Sequence, residues 1–302
     1  MEPRPKSETP QIQTWRLLVG VGGVHEYPLR APHRTSREER VYTVHGAVGL
    51  VSGKTPIFEG RLWQGSFSGS QRGTNMFVGH YSVAFAARSE KNKIPLWVLF
   101  VAVQFLDYIW ATLVLLRIEK LRVIKGFTAG SMLDSYFHPY SHSLIAAIFW
   151  SIVGGLAYKI FCSRHGCLYR KYAALIVGVA VFSHWVLDLI AHPRDLAIYD
   201  NTWKVGFGLW NYRDPEFALE IGLLAFGIVL YLTRNAMPAI RKGALVAFGV
   251  ALLVIQIGDT YVPRNPLTDK ATAMGVWVFY TLFVIVAFLI ERIGSQRQTN
   301  AP

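Results

Sequence analysis

From residue 95 onward the chain alternates between long unbroken apolar runs and short, polar, positively charged connectors. The runs cover 95–116, 143–161, 172–191, 217–233, 244–257 and 272–290. A helix needs about 20 mostly apolar residues to cross a bilayer. The runs lie in or near that range; the fourth is short and the fifth extends at both ends. Spanning β-barrels need alternating segments of about ten residues, which these runs are not. The pattern predicts an all-α, polytopic transmembrane helical bundle with about six spans. Residues 76–90 are apolar but too short to span, and they stop at the polar stretch from Arg88 to Lys93. They predict a short re-entrant or interfacial helix packed on the bundle.

Composition agrees with the bilayer as solvent. Of 302 residues, 52% are hydrophobic and 17% charged, against about 25% charged in an ordinary soluble domain. Disorder and collagen are excluded, and two cysteines cannot make a disulfide framework. A net charge of +12 would ordinarily raise nucleic acid as a partner. Here Lys and Arg cluster between apolar runs, as in membrane loops, so no nucleic-acid partner is expected. Twelve of these cations fall on the side of residue 90 and nine opposite, a slight bias that puts residue 90 inside.

Residues 1–75 contain no spanning run and carry ten Lys and Arg against six Glu. They predict a basic, disordered tail and lack the apolar stretch of a signal peptide. Met76 is the first methionine after Met1 and opens the membrane pattern, so a start at residue 76 is the other expectation. The transmembrane domain is expected over 76–295, with a disordered tail over 296–302.

Ionisable side chains inside these runs carry the candidate chemistry. Each costs about 2.5–3.5 kcal/mol near the bilayer centre, so such residues usually face the bundle interior and have partners. Asp107 lies within the first run, with Gln104 one turn before it. The third run contains His184, Asp188 and His192 at i, i+4 and i+8, which drift only about 40° per step around a helix. Pro193 fits a helix ending at His192. His138 and His142 lead into the second run, His80 lies in the short apolar segment, and Glu220 is one turn into the fourth run. With alternating spans, His138, His142, Asp188, His192 and Glu220 fall on one side of the membrane.

Imidazoles with carboxylates are the ligand set of zinc, or of manganese and iron where oxygens dominate. One buried histidine alone reads as an interhelical hydrogen bond; the set reads as a metal or proton site. The metal-ligand candidates are His80, His138, His142, His184, Asp188 and His192. Asp107 and Glu220 are the catalytic candidates, although Glu220 also suits a helix first turn. Arg194 would pair with a phosphate or serve as membrane-surface charge. Cys162-Ser-Arg-His165-Gly-Cys167 has poor spacing for a metal knuckle and lies on the opposite side. Trp110, Trp185 and Trp210 read as interfacial anchors.

The order Gly79-His80, Asp107, Tyr140-Ser-His142-Ser143 and Ser183-His184-x-x-x-Asp188 resembles the bacterial membrane-bound metal-dependent hydrolases, of which the LexA-regulated inner-membrane protein is the familiar member. The resemblance covers roughly residues 76–195. It implies a helical bundle in the bacterial inner membrane, with His80, Asp107, His142, His184 and Asp188 at ligand positions and His138 one residue out of register. The family's paired acids reduce here to Asp107, and its threonine to Ser141; both changes lower the negative charge available to a second ion. The resemblance implies a divalent metal cofactor, zinc first, and hydrolysis of a phosphoester or lipid ester. The expected partners are membrane lipid and a lipid or small-molecule substrate. Two other readings use the same residues. A proton-coupled carrier would show repeated halves, and none is visible. A non-catalytic scaffold would bind no metal.

Overall fold

The computed structural model describes residues 78–165, 172–263 and 265–293, together with the backbone of four short strands nearer the N-terminus. The chain divides into two units, residues 1–67 and 68–302. In the first, β1 (Arg16–Leu17) pairs antiparallel with β2 (His25–Glu26), and β3 (Arg40–Val44) with β4 (Ala47–Val51). Beyond these strands, the expectations for residues 1–75, for a start at Met76 and for residues 296–302 lie outside the described residues.

The second unit is a helical bundle. Among the described residues, five helices are long and apolar enough to cross a membrane: α5 (Leu144–His165), α6 (Ala173–Ala191), α7 (Arg213–Arg234), α8 (Ala239–Tyr261) and α9 (Asp269–Arg292). Between 17% and 39% of each apolar window is buried. The remaining faces present residues such as Ile148, Ile152 and Leu156 on α5 and Val278, Leu282 and Ile285 on α9 to the outside. Apolar surface this extensive is what lipid covers.

The first apolar run departs from expectation. It is a bent pair, α2 (Leu96–Val103) and α3 (Phe105–Leu115), inclined by 52° at Gln104. Counted as one broken span, the pair brings the total to six. The break overturns the expectation that Gln104 and Asp107 share one regular helix face. It places Asp107 in the first turn of α3, where a helix N-terminus favours a carboxylate. It also leaves the Val103 carbonyl at the end of α2, where helix carbonyls lose their intrahelical partners.

α1 (Val78–Ala87) is the short helix expected over 76–90 and lies in the bundle interior, with Val78, His80, Tyr81, Ala84 and Phe85 all buried. Tyr81 stacks on Phe100 of α2, with ring centroids 4.4 Å apart. α1 packs closely along α7 at Gly227, where a Cβ would sit 2.5 Å from the Ser82 carbonyl oxygen. Only glycine permits that approach, and the approach fixes the depth of His80.

Two hairpins appear where the sequence suggested plain loops. β5 (Lys120–Val123) pairs with β6 (Leu133–Phe137), followed by the single turn α4 (Pro139–His142). β7 (Leu196–Tyr199) pairs with β8 (Thr202–Val205), followed by a 3-10 turn at Leu209–Asn211. Both lie at the bundle end where α6 terminates and α5 and α7 begin. Gly206 holds φ at +150°, and a Cβ there would lie 2.0 Å from the Pro193 carbonyl oxygen. From that turn Phe207 N donates to Leu189 O and Gly208 N to His192 O, at 2.8 and 2.7 Å. The hairpin is thereby bonded to the end of α6.

Candidate metal centre

Four side-chain atoms converge between α3, α4 and α6. His142 Nε2 lies 3.3 Å from His184 Nε2, 3.3 Å from Asp107 Oδ1 and 3.5 Å from Asp188 Oδ2. His184 Nε2 lies 3.5 Å from Asp107 Oδ1 and 3.2 Å from Asp188 Oδ2. Ligands about 2.0–2.2 Å from a shared ion stand about 3.3–3.6 Å apart in a tetrahedron. Five of the six separations among these atoms, 3.2–3.5 Å, lie within about 0.1 Å of that range.

Hydrogen bonds behind the two imidazoles set which nitrogen faces inward. A neutral imidazole has one N–H and one acceptor nitrogen. His184 Nδ1 is 2.7 Å from the Val103 carbonyl oxygen released by the α2–α3 break. A carbonyl only accepts, so Nδ1 carries a proton, and in the neutral ring Nε2 presents its lone pair. His142 Nδ1 is 2.7 Å from Ser141 Oγ. Ser141 O–H donates to Glu119 Oε2 at 2.6 Å, and Glu119 Oε1 accepts from Tyr140 N and Ser141 N. Ser141 Oγ therefore accepts from His142 Nδ1, and His142 Nε2 also turns a lone pair inward. Orienting bonds of this kind are the usual support of metal-ligating histidines.

The backbone of α4 is pinned as well, by Trp185 Nε1 donating to His142 O at 3.0 Å. Tyr280 of α9 donates from Oη to Asp107 Oδ2 at 2.9 Å, leaving Oδ1 for the centre. Two nitrogen lone pairs and two carboxylate oxygens thus face one another in a buried space. One proton would satisfy a single pair of them. A divalent cation satisfies all four, and the residues present fit one.

A cavity of about 60 Å³ opens onto this constellation. Asp107, His142, Asp188, His138, His192 and Tyr280 form its polar wall, and Trp110, Leu133, Trp210 and Val276 its apolar one. No Lys or Arg lines it. His138 is buried with neither ring nitrogen hydrogen-bonded among the described residues. Burial, together with the neighbouring His142 and His192, pushes it well below the ordinary imidazole range, so it is neutral.

The remaining sequence candidates divide. His80 is buried against His184, with ring centroids 4.2 Å apart, and its Nε2 is 3.4 Å from Asp188 Oδ1. His192 caps α6 with extended backbone, so its nearness to Asp188, 3.9 Å from Nε2 to Oδ1, is not a continuation of helical register. Asp107 stands among the ligand atoms. Glu220 is buried in α7 but is neither on the cavity wall nor in a metal-capable grouping. Arg194 is exposed and does not line the cavity, because the turn at Pro193 sends Asp195 toward His192 instead, 2.9 Å from Nδ1. Cys162 is a buried free thiol, and Cys167 lies outside the described residues.

Sequence reasoning missed four contributors. Glu119 lies in a connector and Tyr280 inside the sixth apolar run, and the sequence reading singles out neither. Asp195 stands at i+3 from His192, a spacing that could have flagged it. Trp210 was read as an interfacial anchor and is instead buried with its ring 3.9 Å from that of His192.

The Glu119 relay makes a specific prediction. In Glu119→Gln the amide N–H₂ must donate to Ser141 Oγ, which then donates to His142 Nδ1. That moves the imidazole proton to Nε2 and removes one inward lone pair. Zinc affinity is expected to fall by about 10–100-fold, the usual cost of losing an orienting partner. Competition against a chromophoric chelator measures it, and unchanged affinity would contradict the relay.

Comparison with protein-family models, curated proteins and solved structures yields no match to this chain.

Proposed function

We propose that the chain is a multi-pass metal-dependent hydrolase of the bacterial inner membrane, acting on a phosphoester or other ester of a lipid or lipid-like molecule. One observation carries this reading: His142 Nε2 and His184 Nε2 each lie within 3.5 Å of oxygens of Asp107 and Asp188, and three of these four residues, Asp107, His142 and Asp188, line an open cavity. A divalent ion held there supplies Lewis acidity toward a substrate oxygen and acidifies water. Zinc suits the two imidazoles and two carboxylates, with manganese or iron as the alternatives.

The chain's own residues do the rest. Asp107, His142, His184 and Asp188 hold the ion, and Glu119, Val103 O and Tyr280 hold them. His138 offers a neutral imidazole on the cavity wall to take the proton of the attacking water. The proton then passes to the departing ester oxygen. Trp110, Leu133 and Val276 favour a substrate with an apolar portion. His184 lies seven residues before the end of α6, about 10 Å along the axis at 1.5 Å per residue. The centre is therefore near one end of the spans, at a depth that ester bonds of lipids reach. The resemblance to inner-membrane metal-dependent hydrolases points the same way.

Full-length protein in lipid nanodiscs, loaded with zinc, is the test. Chromogenic phosphomonoester, phosphodiester and carboxylic ester substrates would be screened beside phospholipids. Turnover that EDTA abolishes and zinc restores is expected with at least one class. Absence of metal-dependent turnover across all of them, with metal bound, would contradict the hydrolase reading.

A further inference from the structure

Asp188 has a second oxygen, and its surroundings repeat the pattern of the first. Asp188 Oδ1 lies 3.4 Å from His80 Nε2 and 3.9 Å from His192 Nε2. His192 Nδ1 faces Asp195 Oδ1 at 2.9 Å. A carboxylate oxygen accepts, so His192 Nδ1 carries a proton, and in the neutral ring Nε2 turns a lone pair toward another carboxylate oxygen. His80 is 1% exposed, and neither ring nitrogen is hydrogen-bonded among the described residues. Two imidazole nitrogens thus face one carboxylate oxygen in a buried space, a donor set that a cation would join.

Among the described residues, two metal-capable groupings are present, one of His80, His184 and Asp188 and the other of Asp107, His142 and His184. Both use His184, but a neutral imidazole has only one lone pair to give. The bond from Nδ1 to Val103 O aims that lone pair at the Asp107 and His142 side. His80 is therefore left with the free oxygen of Asp188 and with His192.

Resting on the hydrolase reading above, we propose that the centre holds two divalent cations bridged by Asp188 and that it selects an anionic phosphoester. The inner ion is held by Asp107, His142, His184 and Asp188 Oδ2, the outer by His80, His192 and Asp188 Oδ1. Two neutral histidines, His80 and His192, rather than added acids, complete the outer site. The charge balance then sets the substrate class. One dication against the carboxylates of Asp107 and Asp188 is neutral and has no preference for an anion. Two dications leave two positive charges over the coordinating carboxylates, and one once Asp195, bonded to His192, is counted. In a cavity without Lys or Arg, only an anionic ligand neutralises them. Two ions spaced about 3.5–4 Å apart are the usual clamp on a phosphoryl group in displacement. His138, on the same wall, is left to face that ligand.

The test titrates metal-stripped full-length protein in detergent with Mn(II) and follows it by electron paramagnetic resonance. Bound metal is counted by plasma mass spectrometry, and inorganic phosphate binding is measured by calorimetry at each loading. Two equivalents are expected, with a spin-coupled signal growing in with the second and phosphate binding appearing with it. His80→Gln/His192→Gln is expected to bind one equivalent, to lose the coupled signal and to lose phosphate binding. One uncoupled equivalent in the wild-type protein would overturn the second site and leave the first standing. No bound metal at all would overturn the metal reading as a whole. Should the double variant not fold, the wild-type stoichiometry and coupling decide alone.

Discussion

Zinc added to the metal-free full chain is expected to raise its melting temperature by about 8–16 °C. A ligand at a thousand times its Kd stabilises the folded state by about 4 kcal/mol. For a domain of about 200 residues each kcal/mol moves Tm by about 2–4 °C. The physical source is specific. Without a cation, the neutral rings of His142 and His184 would hold Nε2 lone pairs 3.3 Å apart, with Asp107 and Asp188 oxygens within 3.5 Å of both. All four residues are largely removed from water, and their bonds to Ser141, Val103 and Tyr280 prevent them from turning away. A cation replaces that repulsion with attraction. Differential scanning fluorimetry in detergent, with and without zinc, measures the shift. An unchanged Tm at saturating zinc would mean that these atoms are not a site.

The His184→Ala/Asp188→Ala variant is expected to lose all stoichiometric metal, and with it metal-dependent hydrolysis down to background. These two residues stand one turn apart on α6 and touch both metal-capable groupings. No other pair removes so much of the ligand set. The change is expected to leave α6 in place, because Val177, Ala180, Val181 and Trp185 still pack in the core. Trp185 also still donates to His142 O. Asp188→Asn, which keeps shape and removes charge, is the companion variant. Metal counted by plasma mass spectrometry in the monodisperse fraction decides the matter. Retention of wild-type metal by the double variant would relocate the site.

The bundle was legible because its physical cause is local. Unbroken apolar length marks a span wherever it occurs, and α5 to α9 appear at the expected places with ends shifted by a few residues. The break at Gln104 was not legible, since neither Pro nor Gly marks it. It is paired with a distant demand, His184 Nδ1 taking the Val103 carbonyl. The hairpins were partly legible. Asp200-Asn201 with positive φ at Asp200 is turn chemistry of the kind that closes short hairpins, but it stands in a connector between apolar runs that reads as a plain loop.

The site was legible where periodicity and sidedness carried it. His184 and Asp188 follow from i, i+4 spacing on α6, and His142 from its place at the start of the second run. What lay beyond was chemistry between segments remote in sequence. Nothing near Glu119 announces that it accepts three bonds from Tyr140 and Ser141. Nothing near Tyr280 announces Asp107. Arg194 and Asp195 are adjacent and opposite in charge, and the turn after Pro193 alone decides which of them reaches His192. Glu220 shows the converse: an acid in an apolar helix must be buried, but burial in α7 does not bring it to the cavity.

The central claim is that His142, His184, Asp107 and Asp188 bind one ion together, and X-ray absorption at the zinc edge tests it most directly. Full-length protein reconstituted with one equivalent of zinc would be measured in detergent. The account predicts a first shell of nitrogen and oxygen alone at about 2.0–2.1 Å, with outer-shell scattering from two imidazole rings and no sulfur. A sulfur shell at about 2.3 Å, or zinc that washes away before measurement, would contradict it.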